Sequence, residues 1–235
     1  MKKMKIGVMC GSSSECPKKY LELAYEVGQE IAKANRSVIY GGGAKGLMAN
    51  VADGALAEGG KVFGYIPEFM VQVEWQHKGL TELHITKDMA QRKEIMMSDS
   101  DATVFLPGGC GTMEEFFEWL SNKRLGKYDG PLVIVNFEGY YNPLLELLKN
   151  METEKFHNLI HSKMWVVCEN SKDLLQALDN APKWIEVLNP ALVFENIMVE
   201  VTYTECSSAS LQGLNYFSKI SDYRKEDIQA ATQKG

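Results

Sequence analysis

The chain has 235 residues, of which 45% are hydrophobic and 24% are charged, a composition typical of one folded domain with room for an appendage. Its formal net charge of -6 disfavours broad electrostatic binding to nucleic acid. The sequence lacks an apolar window long enough for a membrane span, and the apolar run after its basic start is too short for a signal peptide.

The cysteines are scattered along the chain and odd in number, without a CxxC pair or zinc spacing: Cys10, Cys16, Cys110, Cys168 and Cys206. This pattern favours buried or free thiols in a reducing compartment over a disulfide framework. We therefore expect a cytoplasmic protein, and we expect no metal site because no cluster of ligand-type residues occurs.

Short apolar runs alternate with longer amphipathic ones over most of the chain. The apolar runs predict strands at Lys5–Cys10, Ser37–Tyr40, Lys61–Ile66, Leu83–Thr86, Ala102–Leu106, Leu132–Asn136 and Trp165–Cys168. The amphipathic stretches predict helices after Pro17, over Leu47–Glu58, over Met89–Ser98, up to about Leu120, from Pro143 and over Ser171–Leu178. Such alternation predicts an α/β fold: a Rossmann-like, doubly wound, mostly parallel sheet with helices on both faces.

The pattern changes after residue 181. Ile197, Val199, Val201 and Tyr203 recur at every second position, which indicates a half-buried strand, and a Ser-rich turn and a polar tail follow. We therefore divide the chain into a Rossmann-like domain, residues 1–181, and a C-terminal extension, residues 182–235, whose role the sequence does not show.

Three glycine-rich segments follow predicted strands: CGSSS at 10–14, GGG at 41–43 and PGGCGT at 107–112. Ligands of open parallel sheets bind beyond the carboxyl ends of the strands, and glycine lets backbone amides approach phosphate closely. The three segments together therefore indicate a phosphate-bearing ligand.

A dinucleotide pattern overlaps the second of these segments. Gly41, Gly43 and Gly46 satisfy GxGxxG, and Glu68 follows about twenty residues on, which leaves NAD-type binding open as an alternative. The pattern follows the second predicted strand rather than the first, which weakens it. The P-loop motif GxxxxGK[ST] is absent, so ATP hydrolysis of that type is disfavoured.

Acidic residues crowd the helix that begins at the third glycine segment. Thr112 and Glu115 have capping-box spacing, which predicts that their side chains satisfy free amides at the helix start. Another interpretation is a mixed site, in which loop amides hold phosphate while a carboxylate faces a different part of the ligand. Arg92 and Lys93, on the preceding helix, either supply complementary charge to that site or lie on a solvated face.

These residues resemble the LONELY GUY family of cytokinin riboside 5'-monophosphate phosphoribohydrolases, often labelled lysine decarboxylase-like. The family hallmark PGGxGTxxE is present at 107–115 and the Arg-Lys pair at 92–93. Further matches are CGSS at 10–13, YGGGAKGLM at 40–48, LTEL at 80–83 and GYYNPLL at 139–145. The resemblance covers about residues 4–180.

The resemblance implies an enzyme that hydrolyses the N-glycosidic bond of a purine nucleoside 5'-monophosphate, either AMP or a cytokinin-type nucleotide, without a cofactor or a metal. The products are the free base and ribose 5-phosphate. It implies Glu115 and Arg92 as the catalytic pair and at least a homodimer. The residues predicted for substrate binding are Ser13, Gly42, Gly43, Glu74, Lys93, Gly108, Gly109, Cys110, Gly111, Thr112, Met113, Glu114 and Ser121.

Two other functions remain open at this point. A non-catalytic nucleotide or pterin-cofactor carrier is the main alternative, since related Rossmann-like folds include carriers. PLP-dependent decarboxylation is disfavoured because the surroundings of His77 and Lys78 do not resemble a Schiff-base site. Cys110, Ser121 and Asn122 depart from the residues usual in the family, which bears on the preferred base more than on the reaction.

Overall fold

A computed structural model describes residues 3–71 and 76–184. The strands are β1 (Lys5–Met9), β2 (Ser37–Tyr40), β3 (Val62–Pro67), β4 (Glu82–Thr86), β5 (Ala102–Phe105), β6 (Leu132–Val135) and β7 (Val166–Cys168). The helices are α1 (Lys18–Lys33), α2 (Gly46–Ala57), α3 (Glu68–Val71), α4 (Met89–Asp99), α5 (Cys110–Arg124), α6 (Asn142–Thr153) and α7 (Leu174–Asp179). Two short 3-10 helices cover Phe137–Gly139 and Leu159–Lys163.

The strands form one parallel sheet in the order β4-β3-β2-β1-β5-β6-β7. β1 lies at the centre of this order, with Val8 opposite Tyr40 on one side and Val104 on the other. The chain order reverses between β1 and β5, and ligands of such sheets bind in the crevice at this switch point. The predicted α/β, Rossmann-like fold is confirmed.

Helices cover both faces of the sheet. Alternate strand side chains, among them Ile6 and Val8, join the core that α1, α2 and α7 cover. The opposite face carries Phe105, whose ring packs edge-on against Phe116 of α5 with 5.1 Å between centroids. On the first face α1 and α2 approach to backbone contact, because a Cβ on Gly28 would come within 2.1 Å of the Val51 carbonyl oxygen.

All seven predicted strands and six predicted helices are present, with shifted ends. α3 was missed, since four residues give no readable periodicity. α7 begins at Leu174 rather than at Ser171 because a turn precedes it, in which the Asn170 side-chain oxygen accepts from the Lys172 and Asp173 amides.

The predicted strand near Ile197–Tyr203 lies outside the described residues. Before them, Trp184 is buried, and its ring lies 6.4 Å from that of His161. The division at residue 181 stays a prediction. Within residues 3–71 and 76–184, none of the helices has both the length and the apolar character that a bilayer span requires.

Candidate active site

Three loops meet at the carboxyl ends of β1, β2 and β5, and backbone hydrogen bonds join them. The Gly11 amide donates to the Pro107 carbonyl at 3.1 Å, which ties the β1 loop to the β5 loop. The Gly11 carbonyl accepts from the Leu47 amide at 3.1 Å, and the Ser14 hydroxyl accepts from the Gly46 amide at 3.2 Å. The β1 loop (residues 11–14), the start of α2 (residues 46–47) and Pro107 are thus joined into one surface at the switch point of the sheet, which we call the floor.

The start of α5 offers backbone donors above this floor. Gly109 is the N-cap, with φ −92° and ψ −154°, and the Met113 amide donates to its carbonyl at 3.1 Å. The amides of Cys110, Gly111 and Thr112 therefore precede the first intrahelical bond, where N–H groups have no helical partner. The positive end of the helix dipole adds to their attraction for an anion.

The predicted capping box at Thr112 and Glu115 is wrong. α5 begins at Cys110, so both side chains belong to the helix interior, and the N-cap Gly109 has no side-chain hydrogen bond. Gly109 takes the N-cap position with extended backbone, so the first helical turn already contains Thr112. Glu115 consequently lies in the second turn of α5 and is buried there, which leaves its burial without a capping explanation.

The three glycines of the β5 loop differ in what surrounds them. A Cβ on Gly108 would come 2.1 Å from the Thr112 hydroxyl oxygen, so packing within the protein requires glycine there. A Cβ on Gly109 or Gly111 would meet nothing within 4 Å among the described residues. Neither adopts a positive φ, so folding alone does not explain these two glycines. Open space beside free amides is what close approach of a ligand requires.

Glu115 faces Arg92 of α4. Glu115 Oε1 lies 3.8 Å from Arg92 Nη2, and the two side chains are 11% and 9% exposed. This distance is that of an ion pair rather than of a hydrogen bond. The carboxylate is therefore attracted by the guanidinium without being capped by it.

The backbone of neighbouring strands holds Arg92 in place. Its Nε donates to the Tyr65 carbonyl at 2.9 Å, at the end of β3, and its Nη1 lies 3.5 Å from Met89 Sδ. Gly41 leaves the space for the guanidinium, since a Cβ on Gly41 would come within 2.1 Å of Nη2. Gly41 does not adopt a positive φ, so the arginine is the main reason for glycine at this position.

Burial dominates the electrostatics of the pair. It raises the pKa of Glu115 from 4.5 to about 7, against the opposing attraction of Arg92. Burial also lowers the pKa of Arg92, against the attraction of Glu115 and Glu114, but a guanidinium stays protonated at neutral pH. Burial, reinforced by Glu115, raises the pKa of the Cys10 thiol, which is therefore neutral. Burial thus brings the pKa of the Glu115 carboxyl group close to neutral pH.

Lys93 is directed differently from its neighbour Arg92. Its ammonium forms ion pairs with Glu114 and, at 2.6 Å, with Glu118. Burial lowers the pKa of Lys93, but these two carboxylates outweigh it and leave the pKa raised. The two adjacent basic residues of α4 thus pair with different acids of α5. The crowding of acids in this helix therefore has two separate causes, Arg92 for Glu115 and Lys93 for the other two.

Other predicted residues lie around the start of α5 or on the facing loop. Thr112 is buried against Gly108, Met113 is half-buried, and Cys110 is exposed at the first position of the helix. Ser13 is exposed in the β1 loop, and its hydroxyl accepts from the Glu15 amide at 3.2 Å. Their predicted contact with substrate stays a prediction.

Gly42 and Gly43 have structural explanations of their own. Gly42 adopts φ +74° and its carbonyl accepts from the His77 amide at 2.9 Å. Gly43 forms a β-bridge with Gln76, and a Cβ on it would come 2.5 Å from the Met48 side chain. Their predicted contact with substrate stays a prediction.

Two further predicted residues are Ser121 and Glu74. Ser121 is exposed on α5, six residues after Glu115, which places it about 9 Å further along the helix and on a different side. Glu74 lies outside the described residues. For both, substrate binding stays a prediction.

Protein groups fill the space beside the glycines of the dinucleotide pattern. Gly41 makes room for Arg92, and Gly46 has φ +60° and a Cβ position 2.5 Å from the Ser12 carbonyl carbon. Glu68, the expected ribose partner, begins the short α3 and is exposed. Nothing about these residues favours the NAD-type alternative.

Gly41 and two adjacent tyrosines that follow β6 were not among the predicted site residues. The Tyr140 hydroxyl donates to the Gly108 carbonyl at 2.7 Å, and the Tyr141 hydroxyl donates to the Leu106 carbonyl at 2.5 Å. The motif GYYNPLL marked the tyrosines as a family match. Their contacts with the β5 loop lie more than thirty residues away in sequence, so no local pattern predicts them.

The chain is similar to known proteins. Residues 48–178 match the family described as "Possible lysine decarboxylase". A cytokinin riboside 5'-monophosphate phosphoribohydrolase from Rhodococcoides fascians is 40% identical over 174 residues, which are 74% of this chain and 88% of the relative. One from Arabidopsis thaliana is 33% identical over 193 residues, which are 82% of this chain and 89% of the relative.

Solved structures with the same fold include two proteins linked to the molybdenum cofactor. The carrier protein from Chlamydomonas reinhardtii has a TM-score of 0.60 and 21% identity and covers 77% of this chain and 98% of its own. The binding protein from Rippkaea orientalis has a TM-score of 0.60 and 20% identity and covers 76% of this chain and 97% of its own. At these identities the likeness shows the fold alone.

Fold and site define a Rossmann-like protein with a buried carboxyl group one turn beyond the free amides at the start of α5. The chain belongs to the family of cytokinin riboside 5'-monophosphate phosphoribohydrolases, which also carries the older description as lysine decarboxylase. Membership confirms both the resemblance and the prediction of an enzyme of the N-glycosidase class.

Proposed function

We propose that this protein hydrolyses the N-glycosidic bond of purine nucleoside 5'-monophosphates, AMP or its cytokinin-type derivatives, and releases the base and ribose 5-phosphate. The observation that carries the proposal is the buried Glu115 carboxyl group, 3.8 Å from Arg92 and in the same helix as the free amides at the start of α5. The named activity of relatives at 33–40% identity supports the same reaction.

In this proposal the two ends of the nucleotide meet different parts of the site. The phosphate lies against the amides of residues 109–112, where backbone donors and the helix dipole favour negative charge. The ribose lies nearer Glu115, one turn further into α5. The glycines without a packing role leave the space for this approach.

The reaction develops positive charge on the ribose, which a carboxylate stabilises. The bond between C1' and the base nitrogen breaks with its electron pair leaving on the base, and a water oxygen bonds to C1'. One water proton ends on the released base. Ionised Glu115 stabilises the oxocarbenium character at C1' and orients or deprotonates that water. A pKa of about 7 leaves a large ionised fraction at neutral pH.

Arg92 has a positioning and electrostatic role in this scheme. It opposes the effect of burial on Glu115, since its charge lowers the pKa of that carboxyl group. Its anchoring by the Tyr65 carbonyl fixes the distance between the two. Lys93 is engaged by two carboxylates, so we assign it mainly to holding α4 and α5 together.

The decisive experiment incubates the protein with AMP and with isopentenyladenosine 5'-monophosphate and follows free base by chromatography. We expect base release from at least one nucleotide, at a rate that Glu115→Gln reduces by about 10²-fold or more. A protein that bound either nucleotide tightly without releasing base would be a carrier, as the alternative states. Ratios of kcat/KM across a panel of purine monophosphates then identify the preferred base.

Assembly into at least a homodimer and a cytoplasmic location are further parts of the proposal. Large apolar side chains are exposed on and near α5 and α6, with Leu125, Phe156 and Leu159 at 52%, 77% and 68% exposure. Such exposure fits burial against another copy. Light scattering during gel filtration tests the dimer. The four cysteines in the described residues are free thiols, as a reducing compartment requires.

A further inference from the structure

Two tyrosines from the β6–α6 segment hold the β5 loop by its carbonyl groups. The Tyr140 hydroxyl donates to the Gly108 carbonyl at 2.7 Å and the Tyr141 hydroxyl to the Leu106 carbonyl at 2.5 Å. Tyr141 is buried, whereas Tyr140 is 38% exposed. The exposed contact is the informative one, because core packing does not account for it.

The Gly108 carbonyl belongs to the same peptide group as the Gly109 amide. In a trans peptide the C=O and N–H bonds point in opposite directions, and the peptide bonds of the described residues are trans. A hydroxyl that fixes the direction of the Gly108 carbonyl therefore also fixes the Gly109 N–H, which points away from Tyr140. Glycine on both sides of this peptide otherwise leaves its rotation free.

We propose that Tyr140 is a positioning residue that aims the Gly109 N–H, together with the amides at the start of α5, at the substrate phosphate. The inference deepens the proposed function and rests on it for the placement of the phosphate. Tyr140 does not touch substrate in this account. It acts through the loop, by preorganising one donor that would otherwise reorient when the anion binds.

The surroundings of Tyr140 suit this role. Its ring lies edge-on to Tyr20 of α1, with 5.5 Å between centroids, and to Tyr141 at 4.9 Å. The turn before it carries two consecutive left-handed residues, Glu138 with φ 48° and Gly139 with φ 74°. Aromatic neighbours hold the ring whether or not the hydroxyl is present, so Tyr140→Phe removes the hydrogen bond and keeps the packing.

The test measures anion binding separately from turnover. Titration calorimetry with ribose 5-phosphate and with inorganic phosphate gives Kd for the wild-type protein and for Tyr140→Phe. Tyr20→Phe is the matched control, because it removes a hydroxyl from the adjacent ring without touching the β5 loop. KM and kcat for AMP, Kd for adenosine and the melting temperature are measured on the same proteins.

We expect Tyr140→Phe to weaken binding of both phosphate compounds about tenfold, the scale of one hydrogen bond, and to raise KM for AMP similarly. In Tyr140→Phe, Kd for adenosine and kcat should change less than about twofold and the melting temperature less than about 2 °C. In the control Tyr20→Phe, all of the measured quantities should stay within these limits. Three results would each overturn the inference. Tyr140→Phe could bind phosphate as tightly as the wild-type protein, or it could lose equal affinity for adenosine and ribose 5-phosphate. The wild-type protein could also bind no phosphate. Phosphate binding without base release would instead contradict the proposed function. The Kd values for the two phosphate compounds would still decide the role of Tyr140 in that case.

Discussion

Arg92 and Glu115 approach to 3.8 Å between Nη2 and Oε1 with both side chains about nine-tenths buried. Burial of a charge is costly, and a pair separated beyond hydrogen-bond distance recovers only part of that cost. The pKa of Glu115 is raised because the cost of burying its charge exceeds the attraction of Arg92. An arrangement that is unfavourable for folding and faces the switch point of the sheet is typical of a functional site.

Glu115→Gln should nearly abolish base release while leaving the fold intact. The amide keeps the shape of the side chain but loses the negative charge that stabilises the developing cation, so we expect kcat to fall by at least about 10²-fold. Chromatography of free adenine measures the rate, and circular dichroism checks the fold.

Glu114→Gln is the matched control for this change. Glu114 is adjacent in sequence but exposed, and its partner is Lys93; exposed ion pairs contribute little to stability. We expect less than about a threefold change in kcat. Equal losses in the two variants would show that α5 tolerates no amide in this turn, and would remove the special role given to Glu115.

The pH dependence of kcat/KM should report the ionisation of Glu115. If the carboxylate is the active form, kcat/KM rises with pH and levels off above about 7, the pKa that burial gives this group. Initial rates between pH 5 and 9 measure the profile. Activity that instead falls above pH 7 would contradict the assigned role and make Glu115 a proton donor.

The same group predicts a pH dependence of stability. The pKa of Glu115 is raised in the folded state, from 4.5 to about 7, so the folded protein holds this proton more tightly than the unfolded chain. The resulting stabilisation is complete below about pH 4.5 and is lost as the pH rises through 7. The contribution of Glu115 to the unfolding free energy should therefore be larger at pH 5 than at pH 8. Urea unfolding should show a smaller difference between these two pH values for Glu115→Gln than for the wild-type protein.

Alanine substitutions in the β5 loop should separate folding from binding. Gly109→Ala and Gly111→Ala place a methyl group where the free protein leaves open space, so neither should create a clash. Gly109 is the N-cap of α5, where alanine is less favourable than glycine, so Gly109→Ala should cost up to about 1 kcal/mol of stability. Gly111→Ala should even add up to about 1 kcal/mol of stability, because alanine favours the helix. Both should raise KM for AMP by about tenfold or more, since the methyl group obstructs the ligand.

Gly108→Ala is the contrasting variant in this series. Its Cβ would come 2.1 Å from the Thr112 hydroxyl oxygen, so it should lower the melting temperature as well as the activity. Denaturant unfolding and KM are measured for all three. If Gly109→Ala and Gly111→Ala left KM unchanged, the open space above α5 would have no role in binding.

Gly41→Ala should impair the enzyme through Arg92. The added Cβ would lie 2.1 Å from Arg92 Nη2, so the guanidinium must move away from Glu115. We expect kcat to fall about 10-fold or more. The rise of kcat/KM should also move to higher pH, because Arg92 lowers the pKa of Glu115 and its displacement would let that pKa increase.

A double-mutant cycle tests that coupling. In an Arg92→Ala background the same Gly41→Ala change should cost little further activity, since the group it displaces is absent. Independent, additive losses would show that Gly41 matters for another reason, such as its neighbour Met48 Sδ, 3.1 Å from the same Cβ position.

Much of the fold was predictable from local pattern. Buried runs such as Ala102–Leu106 appear as strands because both faces of a parallel sheet are covered, and strand-helix alternation then leaves few topologies. The glycine segments were likewise predicted to lie at strand ends. Helix starts were less predictable: the capping-box spacing of Thr112 and Glu115 suggested a start at Thr112, whereas α5 begins at Cys110.

The sequence by itself determined the parallel α/β fold, the glycine loops and the presence of the acid and the two basic residues. Only the tertiary structure decided which acid meets which base: Glu115 turns inward to Arg92, while Glu114 and Glu118 hold Lys93. It also placed Gly41 beneath Arg92 and Tyr140 on the Gly108 carbonyl. These contacts join separate elements, and whether a carboxyl group is paired, exposed or buried with a pKa near neutrality depends on that environment rather than on its neighbours in the chain.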